Sequence, residues 1–307
     1  MLWPEGKRFA FSIFDDPDSQ TLQGSTTIYE VLSDLGVRST IGVWPIVADP
    51  ARRSDAGVTC ANREYLNWIL KLQSRGFEIG FHNATSHTSL REETECALQQ
   101  FEKLFGAPPK TMSNHYHSKE ALYWGPDRLS GFQRKLYNLA TRGKNKKASF
   151  GHRVGHPMFW GDLARERIRY CRNFVFGDID TLKQCPAMPY HDPEREFVNY
   201  WYASSEGANI RTCLSRIGER DQDRLEQQGG ACILYVHFGH GFQESGQINA
   251  RFRYLMQRIV AKQGWFVPVS KLLDHLLAQK KSSAIQPKQR SAMERRWLVH
   301  KLRHGSE

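Results

Sequence analysis

No stretch of this 307-residue sequence approaches the roughly 18–20 apolar residues that a membrane-spanning helix needs. The longest comparable run, Ala231 to Val236, is strand-sized. Cysteine is sparse and scattered: Cys60, Cys96, Cys171, Cys185, Cys213 and Cys232 form no C-x-x-C pair. That spacing excludes a disulfide-stapled scaffold, argues against a cysteine-built zinc site, and suits reduced core thiols. No internal repeat, paired Cys/His finger spacing or RNA-binding signature occurs, so no specific nucleic acid is expected as a partner. The N-terminus, Met-Leu-Trp-Pro-Glu-Gly-Lys-Arg, has a proline and an acid where a signal peptide would have its apolar region. Read as complete, the chain is expected to be cytoplasmic. What the sequence does have is 40% hydrophobic and 12% aromatic residues, enough for a sizeable core and too much for a disordered chain.

Acid is missing from one long segment. Residues 128–161 carry eight Lys/Arg (Arg128, Arg134, Lys135, Arg142, Lys144, Lys146, Lys147, Arg153) and no Asp or Glu. Residues 280–307 carry eight more against Glu294 and Glu307. These two segments contribute +8 and +6 to a net charge of +11, which leaves the remainder at −3. The sequence therefore divides into a slightly acidic body, residues 1–279, with a basic insertion around 125–160, and a basic tail, residues 280–307. The tail is expected to be a linker followed by an amphipathic helix through Met293, Trp297, Leu298 and Leu302 that docks or lies on a partner. Such patches attract anionic glycans, lipid-linked or nucleotide-linked sugars, or headgroups; a plain solvated surface explains them equally well.

Short apolar runs alternate with helical patterns. Arg8–Phe14, Ser39–Val47, Phe77–Phe81, Arg172–Phe176, Cys232–Val236 and Trp265–Val269 read as strands, and Lys110–His117 as a strand and the loop after it. Gly24–Leu35, Asn62–Ser74, Ser89–Phe105 and Ile248–Lys262 read as helices. The alternation predicts an α/β protein with a largely parallel sheet, open or closed as a barrel, whose functional residues gather at the carboxyl ends of the strands. Those ends offer Asp15-Asp16, His82, Asn114-His115, Asp178/Asp180 and His237.

Adjacent carboxylates such as Asp15 and Asp16 repel unless a metal or a shared proton offsets the repulsion; taken alone, the pair reads more readily as a turn or helix cap. His82 and His87 follow a strand closely enough to share an ion, and a carboxylate from another strand would complete a His₂-carboxylate set. His237, at the tip of a nearly apolar strand, is placed to act as a general acid, with His240 three residues on.

The sequence resembles the polysaccharide deacetylase family (NodB homology, carbohydrate esterase family 4). The resemblance rests on Phe14-Asp15-Asp16, Glu78-Ile-Gly-Phe-His82 followed by Ser86-His87, Ile233-Leu-Tyr-Val-His237, and Gly264-Trp-Phe-Val-Pro-Val-Ser-Lys-Leu-Leu, over roughly residues 8–279. It implies a distorted (β/α) barrel of about seven parallel strands. It also implies Asp15 as base, Asp16, His82 and His87 as ligands of one divalent ion, zinc first, and His237 as acid. The implied reaction is hydrolysis of an acyl group, N-acetyl first, from a sugar or glycan precursor in surface polysaccharide metabolism.

The sequence departs from the family pattern in three places. Pro17-Asp18 replaces the usual Gly-Pro, and the histidines are spaced H-x₄-H instead of H-x₃-H. The arginine-proline motif of the middle strand is missing, and Ser113-Asn-His-Tyr-His117 stands there instead. That segment is expected either to supply substrate contacts, through Asn114 and His115, or to orient Asp15; Trp201, from the aromatic stretch Tyr190–Tyr202, is expected as a further substrate contact, with core packing an equal alternative. Competing readings are an inactive sugar-binding or scaffold protein of the same fold, a hydrolase of a small non-sugar amide, and a surface-binding protein driven by the basic segments.

Overall fold

The computed structural model describes residues 3–52, 56–141 and 149–304. Arg142, Lys144, Lys146 and Lys147 of the basic insertion, Glu307 of the tail, and Met1 and Leu2 lie outside the described residues. The strands are β1 (Phe9–Asp15), β2 (Thr40–Val43), β3 (Glu78–Phe81), β4 (Thr111–Met112), β5 (Tyr170–Phe176), β6 (Tyr200–Glu206), β7 (Ala231–Val236), β8 (Gln243–Glu244), β9 (Gln247–Ile248) and β10 (Gly264–Phe266). The helices are α1 (Leu22–Asp34), α2 (Arg63–Ser74), α3 (Arg91–Phe105), α4 (Gly131–Ala140), α5 (Gly161–Arg167), α6 (Thr181–Gln184), α7 (Ile210–Arg216), α8 (Glu219–Gln228), α9 (Ala250–Val260), α10 (Val269–Ala278) and α11 (Pro287–His304).

Strands β1 to β7 pair in parallel, each with the next, and β7 returns to β1, so the sheet closes into a seven-stranded barrel. Closure resolves the open-or-closed alternative, because parallel strands joined by helices leave no free edge once the ends meet. The ring is uneven. β7 runs beside β1 from Ala10 to Asp15, whereas β2 meets β1 only at Phe14 and Asp15. The gap at the start of β1 is filled by β10, in register from Phe9 to Phe11.

Several elements are shorter than the sequence suggests. Trp44-Pro45 ends β2, since proline cannot donate to a ladder. Only Thr111 and Met112 of the 110–117 run pair with neighbours. The aromatic stretch ending at Tyr202 contributes a full strand, β6, which its turn-like surroundings concealed. Helix starts follow local chemistry: Asn62 accepts from Tyr65 N at 2.9 Å ahead of α2, and Thr21 accepts from Gly24 N ahead of α1.

The barrel interior is filled by large rings and one guanidinium. Phe14 points inward, and its ring lies against Gly42 and Gly80, which sit in register on β2 and β3. A Cβ at Gly80 would come within 2.9 Å of that ring, so the glycine is a space requirement. Arg172, on β5, reaches across to stack over Tyr235 of β7 at 4.1 Å.

The tail helix α11 docks on the flank of the same body. Trp297 is fully buried against Phe174 and Tyr137, and Arg128 lies between the rings of Trp124 and Trp297 at 3.9 and 4.8 Å. Buried Glu294 accepts from Ser130 N, and Arg290 pairs with Asp192 at 2.9 Å. Among the described residues, no helix is long and apolar enough to cross a membrane.

Candidate active site

Residues alternate sides along a strand, so Asp15 and Asp16 part company at the end of β1. Asp15 turns outward toward the helix layer, where its carboxylate accepts from Gln20 Nε2 at 2.6 Å, Tyr29 OH at 3.0 Å and Phe238 N at 2.9 Å. Burial pushes its pKa well above the usual carboxylate value despite those donors. Asp16 turns into the barrel mouth. Burial alone would raise its pKa, but Arg172, His82 and His237 hold it below the usual value. The Arg172 pairing is bidentate, at 2.5 and 3.2 Å. Two residues on, Asp18 returns to the same mouth.

Asp18 is where the histidines converge. His115 Nε2 lies 3.0 Å from Oδ1, and His82 Nε2 and His237 Nε2 lie 3.2 and 3.4 Å from Oδ2. Burial would raise the Asp18 pKa, yet His115, His237 and His82 together bring it well below the ordinary value. Among the described residues, two sets of ligand atoms come close enough to share an ion: Asp18, His82 and His115, and Asp16, Asp18 and His237.

Tautomers follow from the outer partners. Ser113 Oγ donates to Asp16 Oδ1 at 2.7 Å, so it is left to accept from His82 Nδ1, also at 2.7 Å. His82 therefore carries its proton on Nδ1 and presents the Nε2 lone pair to Asp18. That nitrogen and Asp18 Oδ2 are both buried and make no directed hydrogen bond, although they face each other. Two lone pairs aimed at one space fit a cation, and an Nδ1–H held by a neighbour is the usual arrangement of a ligating imidazole. His115 is positioned from both sides: Ser118 Oγ lies 3.1 Å from its Nδ1, and its backbone N–H donates to Asn83 Oδ1 at 2.8 Å. Asn83 adopts a left-handed φ of 60° to do so and donates in turn to the buried Glu120. On the other side, His237 Nδ1 donates to Ala208 O at 3.0 Å, which leaves Nε2 beside Tyr235 OH at 3.1 Å.

These groups surround a cavity of about 160 Å³, lined by Asp16, Asp18, His82, Asn114, Arg172, Tyr235, His237 and His240, among others. Asp15, His87 and Trp201 are not on its wall. His87 is buried nearby, but its Nδ1 faces Thr88 O at 3.0 Å, and it joins neither ligand set. Trp201 pairs with Cys171 in the β5–β6 ladder, the register neighbour of the Arg172–Tyr202 pair, so it faces away from the barrel axis and packs edge-on to Tyr123. Asn114 reaches the cavity while its amide bonds both N and O of Leu122, which shapes the loop. Asp178 pairs with Arg224 and Asp180 caps α6, so both serve the helix layer.

No family model and no curated protein matches the sequence. Solved structures do match. A protein assigned as a polysaccharide deacetylase, from Mycobacterium smegmatis, superposes with a TM-score of 0.55 at 14% identity, covering 93% of this chain and 96% of that one. The barrel is a polysaccharide deacetylase fold. PuuE allantoinase is also similar, with a TM-score of 0.50 at 13% identity over 90% of this chain and 93% of its own. The segment Ser113–His117 carries no arginine, but Arg172 of β5 occupies the barrel centre beside Asp16. Its signal in the sequence is a lone charge inside the mostly apolar run Tyr170–Phe176. Asp18 also had a signal, since D-x-D spacing returns a carboxylate to the side that Asp16 faces.

Proposed function

We propose that the chain is a divalent-metal-dependent hydrolase that removes an acyl group, N-acetyl first, from an amino sugar or glycan precursor. Asp18, His82 and His115 hold the ion in this reading. The donor set is one carboxylate and two imidazoles, which suits zinc and leaves positions open. The ion supplies a Lewis acid toward the amide carbonyl. The single observation that carries the reading is the convergence of Asp16, Asp18, His82 and His237 on one cavity, with His115 behind its wall within ligand distance of Asp18 and His82.

Asp16, kept ionised by Arg172, is the base that takes a proton from the attacking water. Once the water oxygen has formed the C–O bond, the proton taken by Asp16 passes by way of His237 Nε2, 4.0 Å from Asp16 Oδ2 and held in place through Nδ1, to the departing amine as the C–N bond breaks. Tyr235 OH fixes the imidazole plane from the cavity side. Asp15 supports the site from behind through the Phe238 N–H, which tethers the β7 end to β1.

The test is acetate release from a panel of N-acetylated mono- and oligosaccharides by zinc- or cobalt-loaded protein. One free amine per acetate, and a rate lowered at least about a hundredfold in Asp16→Asn, is the expected result. No acetate from any member would contradict the sugar reading. Turnover of small non-sugar amides in its place would favour the non-sugar alternative, for which the likeness to PuuE allantoinase is the supporting observation.

A further inference from the structure

Helix α4 buries Tyr137 against the body and leaves three apolar side chains outside: Phe132 and Leu139, at 73% and 76% exposed, and Leu136 between them. Their spacing, i, i+4 and i+7, places all three on one stripe of the helix. Helix α11 lies against α4, joined by Gln133 Nε2 to Ser291 Oγ at 2.7 Å and by the Tyr137–Trp297 ring contact. It adds two exposed apolar side chains of its own, Val299 at 45% and Leu302 at 57%. Each buried face is used by this chain itself, so the exposed stripes are surplus to the fold.

The acids beside them are taken up in ion pairs, Asp127 with Arg134 and Arg153 and Glu194 with Arg290, and the charged side chains exposed along the stripes are basic. Lys135 stands a turn before Leu139 on α4, and Arg295 and Arg296 are exposed on α11. In sequence the two segments that contain these helices, 128–161 and 280–307, carry +8 and +6, of which Arg142, Lys144, Lys146 and Lys147 lie outside the described residues and are not counted toward this face. A cationic surface with protruding Phe and Leu side chains repels a second copy of itself and complements a surface that is anionic outside and apolar just beneath.

We propose that the outer face of α4 and α11 docks the protein on an anionic lipid bilayer. Phe132, Leu136 and Leu139 enter the headgroup boundary, and the lysines and arginines neutralise lipid phosphates. The proposal is independent of the reaction assigned above, because none of these residues lines the candidate active site.

Flotation with vesicles decides it. The whole chain should float with phosphatidylcholine vesicles containing about one third phosphatidylglycerol, and not with phosphatidylcholine alone. Raising the salt from about 0.1 to 0.5 M should weaken binding about tenfold or more. Phe132→Ser/Leu139→Ser should do the same at low salt, with an unchanged thermal melt showing that the exposed positions leave the fold intact. Failure of the wild type to float with the anionic vesicles would overturn the proposal, as would binding that survives the double substitution. A concentration-dependent dimer that the double substitution dissociates would also overturn it, assigning this face to contact between copies.

Discussion

Adjacent strand residues face opposite ways, and that divides the work between the two aspartates at the end of β1. Asp16 and Arg172 form a buried bidentate pair, and removing one member of such a pair leaves an uncompensated charge. Arg172→Met should therefore cost about 3 kcal/mol of stability, read from urea unfolding. It should also alter the pH profile. Arg172 holds the Asp16 carboxyl below its usual value, so stability from its ionisation is present above the unfolded pKa and lost as pH falls through the lower folded one. Without the guanidinium, the acid limb of kcat/KM should move to higher pH; an unmoved limb would mean that Asp16 is not the base. Glu120 works with the opposite sign. Burial raises its pKa to about 7, so its contribution to stability is complete below about 4.5 and lost as pH rises toward 7. Melting temperatures of Glu120→Gln should vary less between pH 5 and 7.5, on the order of the range that this pKa spans. Asp16, His82 and His237 were legible from the sequence as strand-end groups. Asp18 and Arg172 were not, because a D-x-D in a loop and a lone arginine in an apolar run gain meaning only when the barrel closes and brings β1 opposite β5.

At the scale of elements, the strand order was readable wherever the apolar run was long, as in β1, β5 and β7. It was obscured where pairing is brief: β4 has two paired residues, and β10 is a filler for the gap beside β1. The tail helix was legible as amphipathic through Met293, Trp297 and Leu298, but its partner, the Arg128–Trp124 shelf and α4, is far off in sequence. Trp297 is wholly buried, so Trp297→Ala should destabilise by about 3–5 kcal/mol in chemical denaturation. An effect below about 1 kcal/mol would show that α11 is an appendage to the barrel and not part of its packing.

In the molecule as a whole, the segments after β1, β3 and β4 meet at one junction, where they bring Asp18, His82 and His115 to a common point. An ion bound there ties three strand ends together in the folded state alone, so zinc or cobalt at about a hundred times its dissociation constant should add about 2.7 kcal/mol of stability. The most direct measurement is the metal content of protein purified without chelators, by elemental analysis, for the wild type and single variants. About one divalent ion per chain is expected in the wild type and in His87→Ala, and none in Asp18→Ala or His115→Ala. An ion that His115→Ala retains and His87→Ala loses, or no ion in the wild type even after zinc or cobalt is supplied, would contradict that ligand set.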